Sequence, residues 1–114
     1  MKRVEALIRP EQARAVLDAL TDIGYGNVTV TEVRSHGDEL GSRRQWRGMA
    51  YIVDVLPKSK VEVLVQDPML QRVVSVIQEH ASTGGCGDGT ITVVAIEDVI
   101  DVHSGSHGMV RAGV

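Results

Sequence analysis

Apolar residues in the first third of the chain follow two different periods. Every second residue from Val4 to Ile8 is apolar, which predicts a strand with one buried face. Pro10 suits the first turn of a helix, and the apolar residues from Ala13 to Ile23 recur at helical spacing. Gly24 is expected to end that helix, because glycine enters left-handed backbone at little cost. Alternating valines over 28–33 predict a second strand.

The same order of elements recurs in the last half of the chain. Alternating valines over 61–65 predict a strand, and Asp67-Pro68 is expected to supply a helix N-cap and first helical residue. Apolar residues over 70–77 have helical spacing, and the glycine-rich segment 83–90 precedes an apolar strand at 91–96. A doubled strand–helix–strand predicts an α+β, ferredoxin-like βαββαβ sandwich, with an antiparallel sheet and both helices on one face. Oligomerisation is expected to cover the other face, with apolar strands such as 61–65 as candidates for that cover.

The segment between the two halves has a different composition. From Ser35 to Gly48 it is rich in Gly, Ser, His and charged residues, which predicts a long exposed loop before the alternation resumes over 51–55 and is interrupted at Pro57. Loops of this length are usually functional. Its basic and aromatic cluster is typical either of a nucleic-acid patch or of a loop that docks on a protein (Arg43, Arg44, Trp46 and Arg47). The net charge of −3 favours a loop that docks on a protein over a nucleic-acid patch.

Bulk properties limit the remaining possibilities. The 114 residues are the size of one domain, and the 3% aromatic content implies an aliphatic core. Cys86 is the single cysteine, so the chain cannot form an internal disulfide, which fits a reducing compartment. The charged start, Met1–Glu5, runs into a strand pattern and is unlike a signal peptide, so we expect a cytoplasmic protein.

The glycine-rich segment is the strongest chemical signal. Four glycines between Thr83 and Gly89 allow the backbone to turn sharply and to present N–H groups to an anion, although an ordinary tight turn has the same composition. No Lys-Ser or Lys-Thr follows, so it is not a Walker A loop. A strand follows rather than a helix, which excludes a dinucleotide fingerprint.

Taken together, these stretches resemble the PII signal-transduction superfamily over almost the whole chain. The single domain, residues 1–114, would carry the T-loop of that family at about 35–54, its B-loop at 83–90 and its C-loop and tail at 101–114. The positions that carry the resemblance are Met1-Lys2-Arg3, Pro10, Thr29-Val30-Thr31-Glu32-Val33, Arg47-Gly48, Tyr51, Val53-Asp54, Leu56-Pro57-Lys58, Lys60, Glu62, Thr83-Gly84 and Gly87-Asp88-Gly89.

The resemblance implies a homotrimer that is regulatory and not an enzyme. Each of three clefts between subunits would bind an adenine nucleotide, and the T-loop would signal to a transporter or an enzyme. The resemblance places the following residues at that site: Leu7, Thr29, Glu62 and Leu64 around adenine, Gly37 and Lys58 at the base of the T-loop, Gly87, Asp88 and Gly89 at ribose and phosphates, and Thr90 and His103 at phosphate-binding positions.

The departures from the family pattern alter the expected ligand. Typical members have a lysine at the position of Thr90 and arginines at those of Asp101 and His103. Losing these cations weakens a triphosphate most, so ADP or AMP is expected to bind at least as well as ATP. Glu39 replaces a glutamine that helps to place Mg–ATP and 2-oxoglutarate, and it would repel that dicarboxylate.

Three interpretations of the family role stay open. The departures suggest a PII-like branch linked to carboxysomes or inorganic carbon, in which Arg47, Lys58 and Gly89 would hold bicarbonate. One alternative is a metal-responsive, CutA-like trimer, because histidines occur at 36, 103 and 107, although their spacing is not that of a metal site. The other is a nitrogen-regulatory PII protein of the usual kind. Tyr51 matches a tyrosine that some relatives uridylylate, and it also suits a strand start.

Overall fold

The computed structural model describes residues 1–36, 43–46, 49–52 and 55–108, with the backbone alone described at 43–46 and 49–52. Six strands and two helices are present in these ranges, and a short 3-10 turn precedes each helix, at Pro10–Gln12 and Asp67–Met69. In chain order the elements are β1 (Lys2–Ile8), α1 (Ala13–Asp22), β2 (Thr29–His36), β3 (Arg43–Trp46), β4 (Met49–Ile52), β5 (Val55–Val65), α2 (Leu70–Ala81) and β6 (Gly89–Ala95).

Four of the strands form one antiparallel sheet in the order β2-β5-β1-β6. Both helices pack against one face of this sheet, because the buried residues of α1, α2, β1 and β5 form a single cluster. Leu20 and Ile77, from the two helices, and Ile8, from β1, are among its largest fully buried side chains. Each fully buried side chain of this size contributes about 1.5–3 kcal/mol to folding. The α+β, ferredoxin-like sandwich predicted from the sequence is confirmed.

The prediction that another subunit covers the valines of β5 is wrong. Val61, Val63 and Val65 are at most 2% exposed and lie in the cluster beneath the helices. The alternate residues of β1 and β5 therefore form the uncovered side of the sheet, called here the open face. Its residues on these two strands are Arg3, Glu5, Leu7, Lys60, Glu62 and Leu64. Four of these six residues are charged and two are leucines.

The start of α2 differs from the prediction. Gln66 occupies the N-cap of the preceding 3-10 turn and makes no capping hydrogen bond with its side chain, whereas Asp67 is the first residue of the turn. The carboxylate of Asp67 lies 2.7 Å from the amino terminus of Met1, an ion pair that lowers the pKa of Asp67. Asp67 thus links the amino terminus of the chain to the turn that precedes α2.

The central segment is more regular than the exposed loop predicted for 35–48. β2 continues to His36, and the backbone of β3 pairs with β4 in antiparallel register. β5 runs through Pro57, which the sequence suggested as an interruption. Pro57 pairs with β2 only, because β1 ends at the pair between Ile8 and Ser59, so its missing N–H removes no bond to β1.

The chain after β6 folds back on itself. The Gly108 amide donates to the Val99 carbonyl at 2.7 Å, and Ile100 and His107 form an isolated β-bridge. We call residues 98–108 the C-terminal hairpin. Residues 101–108, which belong to the segment assigned to the C-loop and tail, thus form part of a hydrogen-bonded turn. Across the described ranges, neither helix has the length and hydropathy needed to cross a bilayer.

Candidate functional site

A cavity of about 770 Å³ lies between the open face and the C-terminal hairpin. It contains four of the residues that the family resemblance assigned to a nucleotide, namely Thr29, Glu62, Leu64 and His103. Thr29 and Glu62 are neighbours because they pair across β2 and β5. The remaining lining residues are Arg3, Tyr25, Asn27, Val63, Ile96, Asp98, Val99, Ile100, Asp101 and Val102.

The floor of this cavity includes Arg3 and Glu62, which belong to an ion-pair network. Glu62 lies 3.3 Å from the Lys60 ammonium and 3.9 Å from Arg3 Nε, and Arg3 Nε also donates to Glu5 at 2.8 Å. These pairs are partly exposed, so each is worth little to stability, but together they fix the side-chain positions. Leu64 adds an apolar patch beside them. Such a floor suits a planar, polar ring system that can both stack on aliphatic atoms and hydrogen-bond at its edge.

The wall of the cavity is made by the C-terminal hairpin, which its own carboxylates shape. Asp101 Oδ1 accepts from the Ser104 amide at 2.8 Å and from the Ser104 hydroxyl at 3.1 Å. Asp98 Oδ2 lies 2.6 Å from His107 Nδ1, and this hydrogen bond is the main cause that lowers the pKa of Asp98. Two of the residues that the hairpin contributes to the cavity lining are therefore acidic.

The glycine-rich segment, residues 83–89, forms a second part of the candidate site and is called here the glycine turn. The Asp88 carboxylate accepts from the Thr83 amide at 2.7 Å, from the Gly84 amide at 3.1 Å and from the Thr83 hydroxyl. Arg9 Nε donates to the same carboxylate at 3.0 Å. Hydrogen bonds from Thr83, followed by those from Arg9 and Gly84, hold the pKa of Asp88 far below its usual value. Asp88 shapes the turn from within.

Lys58 joins the glycine turn to the sheet. Its side chain is 3% exposed, and Nζ donates to the Gly87 carbonyl at 2.7 Å. In the described part of the chain, the amides of Gly85, Cys86 and Gly87 donate to no protein acceptor. Successive amides of this kind, beside a lysine, are chemically suited to an anion.

Gly89 has a backbone role at the end of the turn. Its φ is +119°, and a Cβ at this position would overlap the carbonyl oxygen of Leu7 in β1. Glycine is required here because two backbones approach closely. The next residue, Thr90, pairs with Leu7, so the predicted residues of β6 and β1 lie side by side.

The predicted residues therefore form two groups in one protomer. Thr29, Glu62, Leu64 and His103 line the cavity, whereas Leu7, Lys58 and the segment 87–90 belong to the glycine turn and the strands beside it. No role was predicted for Arg9 or Thr83, although both contact Asp88. Arg9 is far from Asp88 in the chain, and Thr83 reaches it only through the conformation of the turn, which the sequence does not show.

Several predicted residues lie outside this geometry. Gly37, Glu39 and Arg47 are outside the described residues, and Tyr51 lies in β4 with only its backbone described, opposite Arg44. Over the ranges that the structure describes, no group of three His, Cys, Asp or Glu side chains is arranged to hold a metal ion. Cys86 is exposed and unpaired with any cysteine, as a single cysteine must be.

Comparisons with known proteins identify the family of this chain. The family model described as "Nitrogen regulatory protein P-II" matches residues 1–106. The chain is 42% identical over 108 residues to nitrogen regulatory protein P-II of Rhodospirillum rubrum, covering 95% of this chain and 96% of the relative. It is also 42% identical over 108 residues to nitrogen regulatory protein P-II 1 of Methanothermobacter thermautotrophicus (95% and 94%) and 42% identical over 105 residues to the P-II protein of Pasteurella multocida (92% and 94%). A match of this length and identity places the chain in the nitrogen regulatory protein P-II family.

Proposed function

We propose that this protein is a homotrimeric, cytoplasmic regulator that binds an adenine nucleotide on the open face, in a cleft that a neighbouring protomer closes. It would signal to a transporter or an enzyme through the segment at about 35–54. The observation that carries the proposal is the cavity, which is lined by Thr29, Glu62, Leu64 and His103. A ring system would use the cavity, and phosphates would use exposed amides of a glycine turn.

The charges around the site support a preference for fewer phosphates. Asp98 and Asp101 line the cavity wall, and Thr90 stands on β6 where typical relatives are expected to carry a cation. Each charge-assisted hydrogen bond to an anion is worth about 1.5–3 kcal/mol, so a missing cation costs a triphosphate most. We therefore infer that ADP or AMP binds at least as tightly as ATP.

Calorimetric titration with adenosine, AMP, ADP and ATP tests this function. The wild-type chain should bind ADP or AMP with an affinity equal to or above that for ATP. Thr90→Lys should raise the ATP affinity about tenfold relative to AMP, which corresponds to one modest charge-assisted contact. Ser75→Lys adds the same charge to an exposed position of α2 and should leave the ratio unchanged. A wild-type chain that binds no adenylate, or ATP far above the others, would contradict the proposal.

The trimer has its own measurement. Size-exclusion chromatography with light scattering should give three times the 12.3 kDa chain mass, both with and without nucleotide. A monomer at micromolar concentration would remove the intersubunit cleft from the proposal.

Nitrogen regulation is the second candidate, favoured by the names of the relatives. In that case 2-oxoglutarate should bind together with Mg–ATP, and a modifying enzyme could act on Tyr51. In the inorganic-carbon interpretation, bicarbonate should instead change the ADP or AMP affinity, with Arg47, Lys58 and Gly89 as the predicted contacts. Repeating the titrations with each small anion separates the two: the anion that alters nucleotide affinity identifies the pathway class.

A further inference from the structure

Arg9 contacts the glycine turn from a point 79 residues earlier in the chain. It follows β1 directly, and its φ of −61° and ψ of 134° are the extended backbone expected for a residue before proline. The guanidinium lies between Asp88, whose Oδ1 is 3.0 Å from Nε, and Gly85, where a Cβ would come within 2.9 Å of Nη2. Glycine at 85 thus leaves room for the arginine.

The Asp88 carboxylate creates an electrostatic conflict in this turn. Three of its hydrogen bonds come from Thr83 and Gly84, so it is the group that shapes the turn. The carboxylate remains charged because these bonds keep its pKa far below the usual value. A negative charge within a turn that offers its amides to an anion repels that anion. Arg9 is the cation in direct contact with it.

We propose that Arg9 is a positioning residue that neutralises Asp88, so that a carboxylate can shape the glycine turn while the turn still attracts phosphate. This inference rests on the proposed nucleotide binding. Arg9 acts through Asp88 and is not assigned a contact with the nucleotide. Its contribution therefore depends on the charge of the ligand and not on the adenine ring.

Substitution of Arg9 should produce a loss that grows with each phosphate. Arg9→Gln leaves Asp88 uncompensated, so affinity should fall about threefold for AMP and by a further factor of about two to three for each additional phosphate. Adenosine, which is uncharged, should bind as to the wild type. Arg9→Lys keeps the charge and should retain the wild-type ratio of ATP to adenosine affinity. Arg14→Gln removes the same charge from the exposed side of α1, where the side chain is 80% exposed, and should change no affinity.

The double variant separates electrostatic positioning from a purely structural role. Arg9→Gln combined with Asp88→Asn restores the net charge of the pair to zero, so the dependence on phosphate number should return to that of the wild type. Asp88→Asn alone leaves Arg9 unopposed and should raise the ratio of ATP to adenosine affinity. Thermal unfolding of each variant identifies any that is not folded at the assay temperature.

Three results would overturn the inference. The first is an Arg9→Gln variant that loses affinity for adenosine and for ATP equally, and the second is a double variant that loses as much affinity as the single one. The third, decisive if Arg9→Gln fails to fold, is an Asp88→Asn variant whose preference for ATP over adenosine falls. A wild-type chain that binds no adenylate refutes the proposed function and this inference together, whereas a wild type that binds leaves the variants alone to decide on Arg9.

Discussion

Replacing Gly89 with alanine tests the close approach between the glycine turn and β1. At φ +119° an alanine Cβ would overlap the Leu7 carbonyl oxygen and lie 2.9 Å from the Leu7 carbonyl carbon and 3.2 Å from Ile8 Cα. All three atoms belong to the backbone of a central strand, so no side chain can rotate away. The first residues of β6 must therefore move off β1.

Three terms set the size of the effect. An alanine at positive φ costs about 1–2 kcal/mol. Displacing the start of β6 breaks one or two backbone hydrogen bonds with β1, at about 1 kcal/mol each. Alanine also restricts the unfolded chain, which offsets about 0.4–1 kcal/mol. The expected loss in the free energy of unfolding is about 2–3 kcal/mol.

Gly84→Ala is the matched control. Gly84 lies in the same turn at φ +86°, but a Cβ there would meet nothing within 4 Å, so only the backbone term applies and the expected loss is about 1 kcal/mol. Urea unfolding followed by circular dichroism, at one fixed protomer concentration, gives both values. If Gly89→Ala cost no more than Gly84→Ala, the reasoning from the close approach of the two backbones would be refuted.

Two further predictions concern hydrogen bonds of the candidate site. Because the pKa of folded Asp88 lies below its ordinary value of 3.8, its carboxylate stabilises the fold above that value and loses this effect as the pH falls through the folded pKa. The difference in unfolding free energy between the wild type and Asp88→Asn should thus be constant from about pH 7 to 5 and shrink below about pH 4; a constant difference down to pH 2.5 would contradict it. His107→Ala removes the partner of Asp98 and should speed hydrogen exchange of the Gly108 amide, whereas His103→Ala, exposed in the same hairpin, should not. Equal exchange in both variants would refute this role of His107.

The sequence was sufficient to predict the sandwich because its core residues recur at the regular spacings of strands and helices. Val4–Ile8 alternates, and the apolar stripes of the two helices fall on faces that the structure buries, as at Val16 and Val73. The alternation of 61–65 also showed that one side of β5 is apolar. It could not show that the helices, and not another subunit, cover that side, because a strand pattern has no information about what lies above it.

Other features depend on contacts that no local pattern encodes. Asp67 is a residue type that commonly caps helices, but its carboxylate forms an ion pair with the amino terminus of Met1, which is distant in the chain. Arg9 likewise donates a hydrogen bond to Asp88, which is distant in the chain. The backbone of β3 pairs with β4 although its residues, Arg43–Trp46, are mainly polar and carry no apolar alternation. Within the cavity, Thr29, Glu62 and Leu64 could be assigned from the family resemblance, since periodicity alone marks them only as outward-facing.

The separation of the two sides of the sheet has a consequence for how this protein can diversify. The side beneath the helices holds the packed aliphatic residues, whereas Thr29, Glu62 and Leu64 stand on the other side and contribute little to that packing. Exchanges among such outward residues carry small folding penalties, generally within about 0.5 kcal/mol. Replacements at these three positions can therefore change ligand preference while the scaffold stays intact, in contrast to Gly89, where the candidate site and the fold depend on the same residue.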